Sequence, residues 1–320
     1  MKRYHSLSTY LHRRFGGRVQ KIPLDAGFSC PNRDGTLSRH GCIFCNEQGA
    51  GTGLFAQGYS LKQQWERWTT QLGPKYGTNM FLAYLQSYSN TYGPLARLKN
   101  TFDQLAGLPG LCGVCIGTRP DCLDQEKIQY LSSLPTQEVW LDLGLQSCHN
   151  TTLARINRGH TAEDFARATE LASEHGLKVC AHLIMGLPGE GTDEFLESIT
   201  FVNNLPIAGI KLHNMIVFKD TMLEKMWAKE EMRLPELAEY IEAVVFALEQ
   251  LRPEIVVHRL GADCNLDELV APMWALKKRP IMNGVNAMLK DLDSWQGKRL
   301  APNSPMPEWF QTPRPEENRS

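Results

Sequence analysis

The sequence predicts an α/β protein in which a parallel sheet is wrapped by helices. Short β-branched or apolar runs recur at 19–26, 80–86, 111–117, 138–145, 178–185, 208–217 and 254–258. Stretches of helical periodicity fall between them. The chain has 320 residues, 42% of them hydrophobic and 22% charged, enough to bury a sizeable core. Strand followed by helix, repeated about six times, is the pattern of βα units. Six units are too few for a closed eight-stranded barrel, so a partial barrel or an open sheet remains. In either, functional groups belong at the C-terminal strand ends.

Taken in order, residues 1–18 read as a basic N-terminal helix. Residues 1–40 hold eight Lys/Arg against Asp25 and Asp34, a segment charge of +6 that leaves −7 for the rest of a chain whose net charge is −1. A solvated helix face and a phosphate-binding patch both account for such a run. Ser60 caps a helix with the apolar stripe Leu61, Trp65, Trp68 and Leu72. Leu95, Leu98, Phe102 and Leu105 make a second stripe, and Phe165, Ala168 and Leu171 follow the cap pair Thr161/Asp164. Leu237, Ile241, Val244 and Leu248 make a fourth. The main body is therefore expected over 19–260, a helical extension over 261–300 and an irregular tail over 301–320. That tail carries Pro302, Pro305, Pro307, Pro313 and Pro315, with Trp309 and Phe310 as its docking points. No apolar stretch suits a signal peptide, and no run approaches the roughly 18 apolar residues of a membrane span, so a cytoplasmic protein without membrane contact is expected.

Nine cysteines are many for a reducing compartment, where disulfides are out of place. Cys30, Cys42 and Cys45 follow the first strand on a Gly/Pro/Asn-rich loop, spaced C-x11-C-x2-C. A closed structural site generally takes four protein ligands, whereas three thiolates leave an open position for chemistry. On spacing alone, a [4Fe–4S] cluster, a zinc ion completed by His40 and simple burial all stay open. Cys112 and Cys115 lie in a predicted strand at odd separation, so they are expected on opposite faces and not on one metal. With Cys122, Cys148, Cys180 and Cys264 they read as packing residues.

The cysteine loop, taken with the later strand ends, resembles the radical S-adenosylmethionine (SAM) superfamily over about Leu7 to Arg259. It is most similar to the YhcC group, related to the radical-SAM domain of the Elongator catalytic subunit. The superfamily hallmark is C-x3-C-x-aromatic-C; here Cys42-Ile43-Phe44-Cys45 fits and the first gap is widened to eleven residues. The segment Gly144-Leu145-Gln146-Ser147 with Asn157-Arg158-Gly159-His160-Thr161 is similar to the G-x-Q-S…N-R-G-H-T pattern of Elongator-like and coproporphyrinogen-dehydrogenase-like enzymes. Thr118-Arg119-Pro120-Asp121 looks like the Elongator-like T-R-P-D segment. Gly186-Leu187-Pro188-Gly189 resembles the turn near the SAM adenine. The Gly-Gly-Glu stretch that binds the SAM amino group in many members is absent, and Gln86-Ser87-Tyr88-Ser89-Asn90 stands there instead.

The resemblance implies a partial (β/α)6 TIM-like barrel of the radical SAM type. It implies a [4Fe–4S] cluster on Cys30, Cys42 and Cys45. SAM is expected against Gln86, Ser87, Asn90, Gln146, Arg158, His182, Met185 and Gly186, with Arg158 on its carboxylate and Gln146 on its ribose. His213 and His258 are further candidates for the cavity. The implied activity is reductive cleavage of SAM to a 5′-deoxyadenosyl radical that abstracts hydrogen. A low-potential donor of the flavodoxin or ferredoxin type would supply the electron. The Elongator relationship adds a tRNA base modification as an expected substrate class, with Arg13, Arg14 and Arg18 holding phosphates near the barrel rim. Acetyl transfer is not part of the expectation. The rival class is a non-enzymatic, zinc-stabilised nucleic-acid-binding module built from the cysteine loop, His40 and the basic N-terminus.

Overall fold

The seven apolar runs become seven parallel strands in the computed structural model, which describes residues 2–46, 51–302, 305 and 307–311. They are β1 (Val19–Leu24), β2 (Met80–Leu85), β3 (Leu111–Thr118), β4 (Glu138–Gln146), β5 (Lys178–Met185), β6 (Gly209–Asn214) and β8 (Val256–Arg259), ordered β1-β2-β3-β4-β5-β6-β8. Every pairing is parallel, so each connection crosses over. The sheet curls into a half-barrel: six strand–helix units and a closing strand.

The helices are α1 (Leu7–Phe15), α2 (Leu61–Tyr76), α3 (Leu95–Phe102), α4 (Gln125–Ser132), α5 (Asn150–Arg155), α6 (Ala162–Glu174), α7 (Thr192–Asn203), α8 (Met222–Ala228) and α9 (Leu237–Gln250). The expected caps form. Ser60 and Gln63 close a capping box on α2, and Thr161 and Asp164 close one on α6. After β8 come β9 (Leu269–Ala271), antiparallel to β7 (Val217–Phe218), then α10 (Lys278–Asp291) against α9. The tail contains a one-turn α11 (Glu308–Gln311) where an irregular segment is expected. Its Trp309 is buried, donating to the Pro253 carbonyl at 3.0 Å and stacking on His5. The remaining tail residues and the Phe310 side chain lie outside the described residues.

Strand alternation separates two cores. Leu141, Leu143 and Leu145 face the helices with Ala181, Leu183, Ile210 and Leu212. Trp140, Cys115, Cys180, Leu82 and Val256 face inward, and Leu11 of α1 packs beneath them. Two sequence expectations change here. Cys112 and Cys115 both enter this lower core, because Phe81 pairs with Leu111 but Leu82 with Gly113, leaving Cys112 as an extra residue that resets the parity. The basic N-terminal helix also lies away from the cysteine loop, at the N-terminal strand ends.

Glu138, the first residue of β4, fixes it there. Its Oε1 accepts from Tyr10 Oη at 2.5 Å, Lys178 Nζ at 2.7 Å and Arg14 Nε at 3.1 Å. Its Oε2 accepts from Trp140 Nε1 at 2.9 Å. Burial alone would raise this carboxyl, but the bonds from Lys178, Tyr10 and Trp140 outweigh burial and lower it. Lys178 opens β5, so the plug sits at the mouth opposite Cys30, Cys42 and Cys45. Arg18 precedes β1 at the same lower mouth, over the Tyr76 ring. A phosphate site at the catalytic rim is therefore not what Arg13, Arg14 and Arg18 build. Among the described residues, no helix is long and apolar enough to cross a membrane.

Candidate active site

The loop after β1 is held by backbone turns. Arg33 and Asp34 donate to the Cys30 carbonyl at 2.8 and 3.2 Å, and Cys45 donates to the Cys42 carbonyl at 3.0 Å. It is clamped from across the barrel by the segment between α5 and α6. Asn32 Nδ2 reaches the Asn157 carbonyl at 2.6 Å, the Arg158 carbonyl at 3.2 Å and Cys42 Sγ at 3.7 Å. Asn157 Nδ2 returns to the Gly41 carbonyl at 2.6 Å, and Ile43 N donates to the Ile156 carbonyl at 3.1 Å. Arg119, paired with Asp121 at 2.7 Å, donates to the Arg158 carbonyl at 2.7 Å. Three motifs far apart in sequence thus meet around one loop. Asn32 and Asn157 have no family role in the sequence reading; their asparagine-rich turns were the available signal.

Arg158 does more than end a helix. Only 7% exposed, it donates through Nη2 to the Gly144 carbonyl at 2.7 Å and through Nη1 to Cys42 Sγ at 3.6 Å. A β-carbon on residue 144 would stand 2.3 Å from Arg158 Nη2 and 2.5 Å from Gln146 Nε2. Glycine is needed there because the two side chains occupy that space. Gln146 has φ +80°, and Tyr88 and Asn157 have φ +56° and +53°. Three non-glycine residues in the left-handed region thus gather around the site, as strained backbone does at functional positions.

The other expected contacts divide. Ser87 and Asn90 are buried at the end of β2, and the Asn90 amide nitrogen bonds the Leu85, Ser87 and Gly117 carbonyls. Asn90 Oδ1 and Ser87 Oγ have no hydrogen-bond partner among the described residues. Gln86 is half-buried beside them. The Met185 side chain packs in the helix-facing core and its carbonyl accepts from Met215 N at 2.8 Å. Gly186 turns with φ +89° against Pro235. His182 departs from the turn altogether: its ring points into the barrel, stacked on His213 at 5.4 Å and 3.7 Å from Asp142 Oδ1.

The three thiols fit an iron centre. Cys42 is buried, Cys30 and Cys45 half-buried, and none is in a disulfide. Burial, then the nearby Cys42 and Cys30, pushes the Cys45 thiol up to about 11 against the pull of Arg33 and Arg158. A bound cation would offset that burial and favour the thiolate. Asn32 and Arg158 already aim N–H groups at Cys42 Sγ, the type of bond that tunes an iron–sulfur cluster. Three ligands leave one iron for an outside ligand, and Ser87 Oγ, Asn90 Oδ1 and Arg158 Nε are orphaned polar atoms nearby. His40, the fourth ligand that zinc requires, is exposed.

A parallel half-barrel with thiols, a buried guanidinium and strained strand ends at its C-terminal mouth defines a barrel enzyme with its reaction centre at that mouth. Residues 37–202 match the Radical SAM superfamily, and residues 207–291 match the Radical SAM C-terminal domain. The chain is 35% identical to the YtqA protein of Bacillus subtilis over 93% of this chain and 92% of that protein. It is 39% identical to protein YhcC of Escherichia coli K12 over 82% and 85%. A tRNA uridine(34) acetyltransferase of Methanocaldococcus infernus is 34% identical, over 42% of this chain and 25% of that protein. In fold, the archaeal Methanocaldococcus infernus Elp3 with an N-terminal deletion superposes with a TM-score of 0.67 at 20% identity, covering 85% of this chain and 63% of that one. The chain belongs to the radical SAM superfamily and is a SAM-dependent radical enzyme. Family membership implies a [4Fe–4S] cluster and SAM as cofactors.

Proposed function

We propose that Cys30, Cys42 and Cys45 hold the [4Fe–4S] cluster and that SAM is bound across the ends of β2, β4 and β5. The cluster and SAM together supply a 5′-deoxyadenosyl radical for hydrogen abstraction. The chain's own groups bind, orient and shield. Arg158 is positioned by the Gly144 carbonyl to meet a carboxylate with a planar, always-charged fork. Gln146 presents its amide beside that fork from a strained strand end. Gln86, Ser87 and Asn90 offer polar groups in place of the missing acidic stretch, and the backbone around Met185 and Gly186 faces the adenine. We assign His182 to the substrate side of the site because its ring lies with Asp142 and His213. A low-potential donor of the flavodoxin or ferredoxin type would provide the electron.

The observation that carries this reading is the contact of Arg158 Nη1 with Cys42 Sγ at 3.6 Å, which joins the cysteine loop to the N-R-G-H-T segment. The test is iron content and colour of anaerobically prepared protein. A brown preparation with about four irons per chain is expected, lost when all three cysteines become Ala and kept in Cys112→Ala or Cys115→Ala. A colourless protein carrying zinc, or iron retained in the triple variant, overturns it. A tRNA base as substrate draws support from the relatives alone, over a quarter of their length. Bulk tRNA binding at two salt concentrations, with nucleoside mass spectrometry of a deletion strain, checks it; absent or salt-independent binding with an unchanged profile refutes it.

A further inference from the structure

Beneath the cysteine loop, inward-facing strand positions carry a polar cluster that neither the iron centre nor the SAM contacts use. Lys211 Nζ lies 2.7 Å from Asp142 Oδ2 and 2.8 Å from Tyr84 Oη, with the lysine 4% and the aspartate 1% exposed. Lys21 and Lys211 both stand over the Tyr84 ring, at 4.8 and 4.5 Å. His182 and His213 stack beside them. Strand β8 contributes through a bulge: Ile210 pairs with Val257, but Lys211 pairs with Arg259, so His258 is the extra residue. Such a bulge re-aims side chains next to a site, and here it sets Arg259 opposite Lys211.

The charges do not balance. Lys21 and Lys211 act on the single carboxylate of Asp142, and Arg259 acts on the His182 and His213 rings beside it. The Arg259 side chain makes no hydrogen bond or ion pair among the described residues. His182 Nε2, His213 Nε2 and both ring nitrogens of His258 also lack hydrogen-bond partners. An orphaned buried polar group costs about 1–3 kcal/mol, so a cluster of them marks a place arranged for a polar ligand. Ligand atoms of Asp142, Cys180 and His258 approach within 4.8 Å of one another, which suggests a metal. The Lys211 ammonium already holds the Asp142 carboxylate, and Lys21 adds a second cation. A divalent cation would be repelled; an anion would be attracted.

We propose that this cluster binds the anionic group of a small-molecule substrate, a carboxylate or a phosphomonoester. Lys211 and Arg259 are its cationic anchors, and His213 and His258 complete its shell. The inference rests on the assignment of the upper mouth to SAM. Asp142 and Gly144 are two strand residues apart, about 7 Å, and the Gly144 carbonyl holds Arg158. A substrate anchored below therefore presents a carbon at the upper mouth across a chain of about five bonds. His258 and Arg259 also line a cavity of about 360 Å³ between β8 and the N-terminal residues that bridge its edge from Ser6 to Val257, with Lys2 and Lys278 on its wall. Arg259 is shared between that cavity and the interior cluster, where it acts on the His182 and His213 rings, while Lys278 is paired with Asp263 at 2.7 Å. Lys211 is 4% exposed inside the barrel, out of reach of a backbone phosphodiester in a folded RNA.

The test is calorimetric titration of the cluster-containing full chain with inorganic phosphate and with succinate, anaerobically, repeated with bulk tRNA present. At least one anion should bind to the wild type, independently of tRNA. Arg259→Gln should weaken it at least tenfold; because the Arg259 side chain makes no hydrogen bond or ion pair among the described residues, that variant should stay folded. His213→Gln should weaken it less. No binding of either anion, or wild-type affinity in Arg259→Gln, overturns the inference. Competition by tRNA also overturns it, transferring the site to an RNA phosphate. Iron content and SAM binding, measured on the same wild-type preparation, report separately on the upper mouth.

Discussion

At the lower mouth of the half-barrel, Glu138 is buried and both of its oxygens are satisfied, by Tyr10, Arg14, Lys178 and Trp140. In the interior and at the upper mouth, groups of the same chemical kinds are buried and left partly unsatisfied: Asp142 Oδ1, three imidazoles, Ser87 Oγ, Asn90 Oδ1 and Arg158 Nε. Burial therefore does not distinguish scaffold from site in this molecule. Between these two networks, completeness of partnering does. The lower network closes a barrel end, whereas the upper groups keep bonding capacity that a ligand can use.

The largest effect that tests this contrast is expected at Asp142. Asp142→Asn leaves the Lys211 ammonium, 6% exposed in its side chain, without a counter-charge. Stability should fall by about 3–5 kcal/mol in urea unfolding. Adding Lys211→Met to the same chain should recover most of the loss. A loss under about 1 kcal/mol would mean that the interior is wet enough to screen the pair, and the contrast would fail. Glu138→Gln is expected to cost less, about 2 kcal/mol, because Lys178 and Arg14 are 34% and 46% exposed and can rehydrate. SAM affinity should not change in that variant, since the lower plug is remote from Gly144. A third substitution separates site from scaffold directly. Gly144→Ala should weaken SAM binding about tenfold, near 1.4 kcal/mol, by displacing Arg158 and Gln146, with unfolding nearly unchanged. If calorimetry gives wild-type SAM affinity there, the positioning role of Arg158 is wrong.

The sequence made the frame legible because its signals are local. Capping pairs at Ser60 and Thr161/Asp164 and the seven apolar runs depend on neighbours within a few residues, and each became the expected element. The three-cysteine loop was legible for the same reason. Placement around the barrel was not. A run of basic residues says nothing about which mouth it serves, and the deciding contact, Arg14 with Glu138, spans 124 positions. The parity argument for Cys112 and Cys115 failed because a one-residue bulge has no signature in L-C-G-V-C beyond its glycine. The interior cluster did leave a trace: Asp142 in V-W-L-D-L-G-L and Lys211 in G-I-K-L-H are single charges inside otherwise apolar strands. A buried strand tolerates such a residue only when another strand supplies its partner, and here each supplies the other.

The smallest effect is carried by pH. His182 is lowered to about 4 by burial first and then by Lys211, against the opposing pull of Asp142. Its folded value lies below the ordinary 6.5, so the unfolded chain binds a proton that the folded chain refuses between about 6.5 and about 4. Stability is therefore complete above that window and falls as pH drops through it, by about 1.4 kcal/mol per unit for one such group. His213, His258 and His5 share the sign, so the wild type should lose stability from about pH 7.5 to about pH 5.5. Glu138 is also lowered, from 4.5, and its contribution is lost only below that value. It should be silent in the same interval. His182→Gln should flatten the decline by about 1 kcal/mol at pH 5.5, while Glu138→Gln should leave its slope unchanged. Urea midpoints at the two pH values read both. Equal slopes in wild type and His182→Gln would mean that this imidazole charges freely in the fold, and that the interior is already as solvated as the surface.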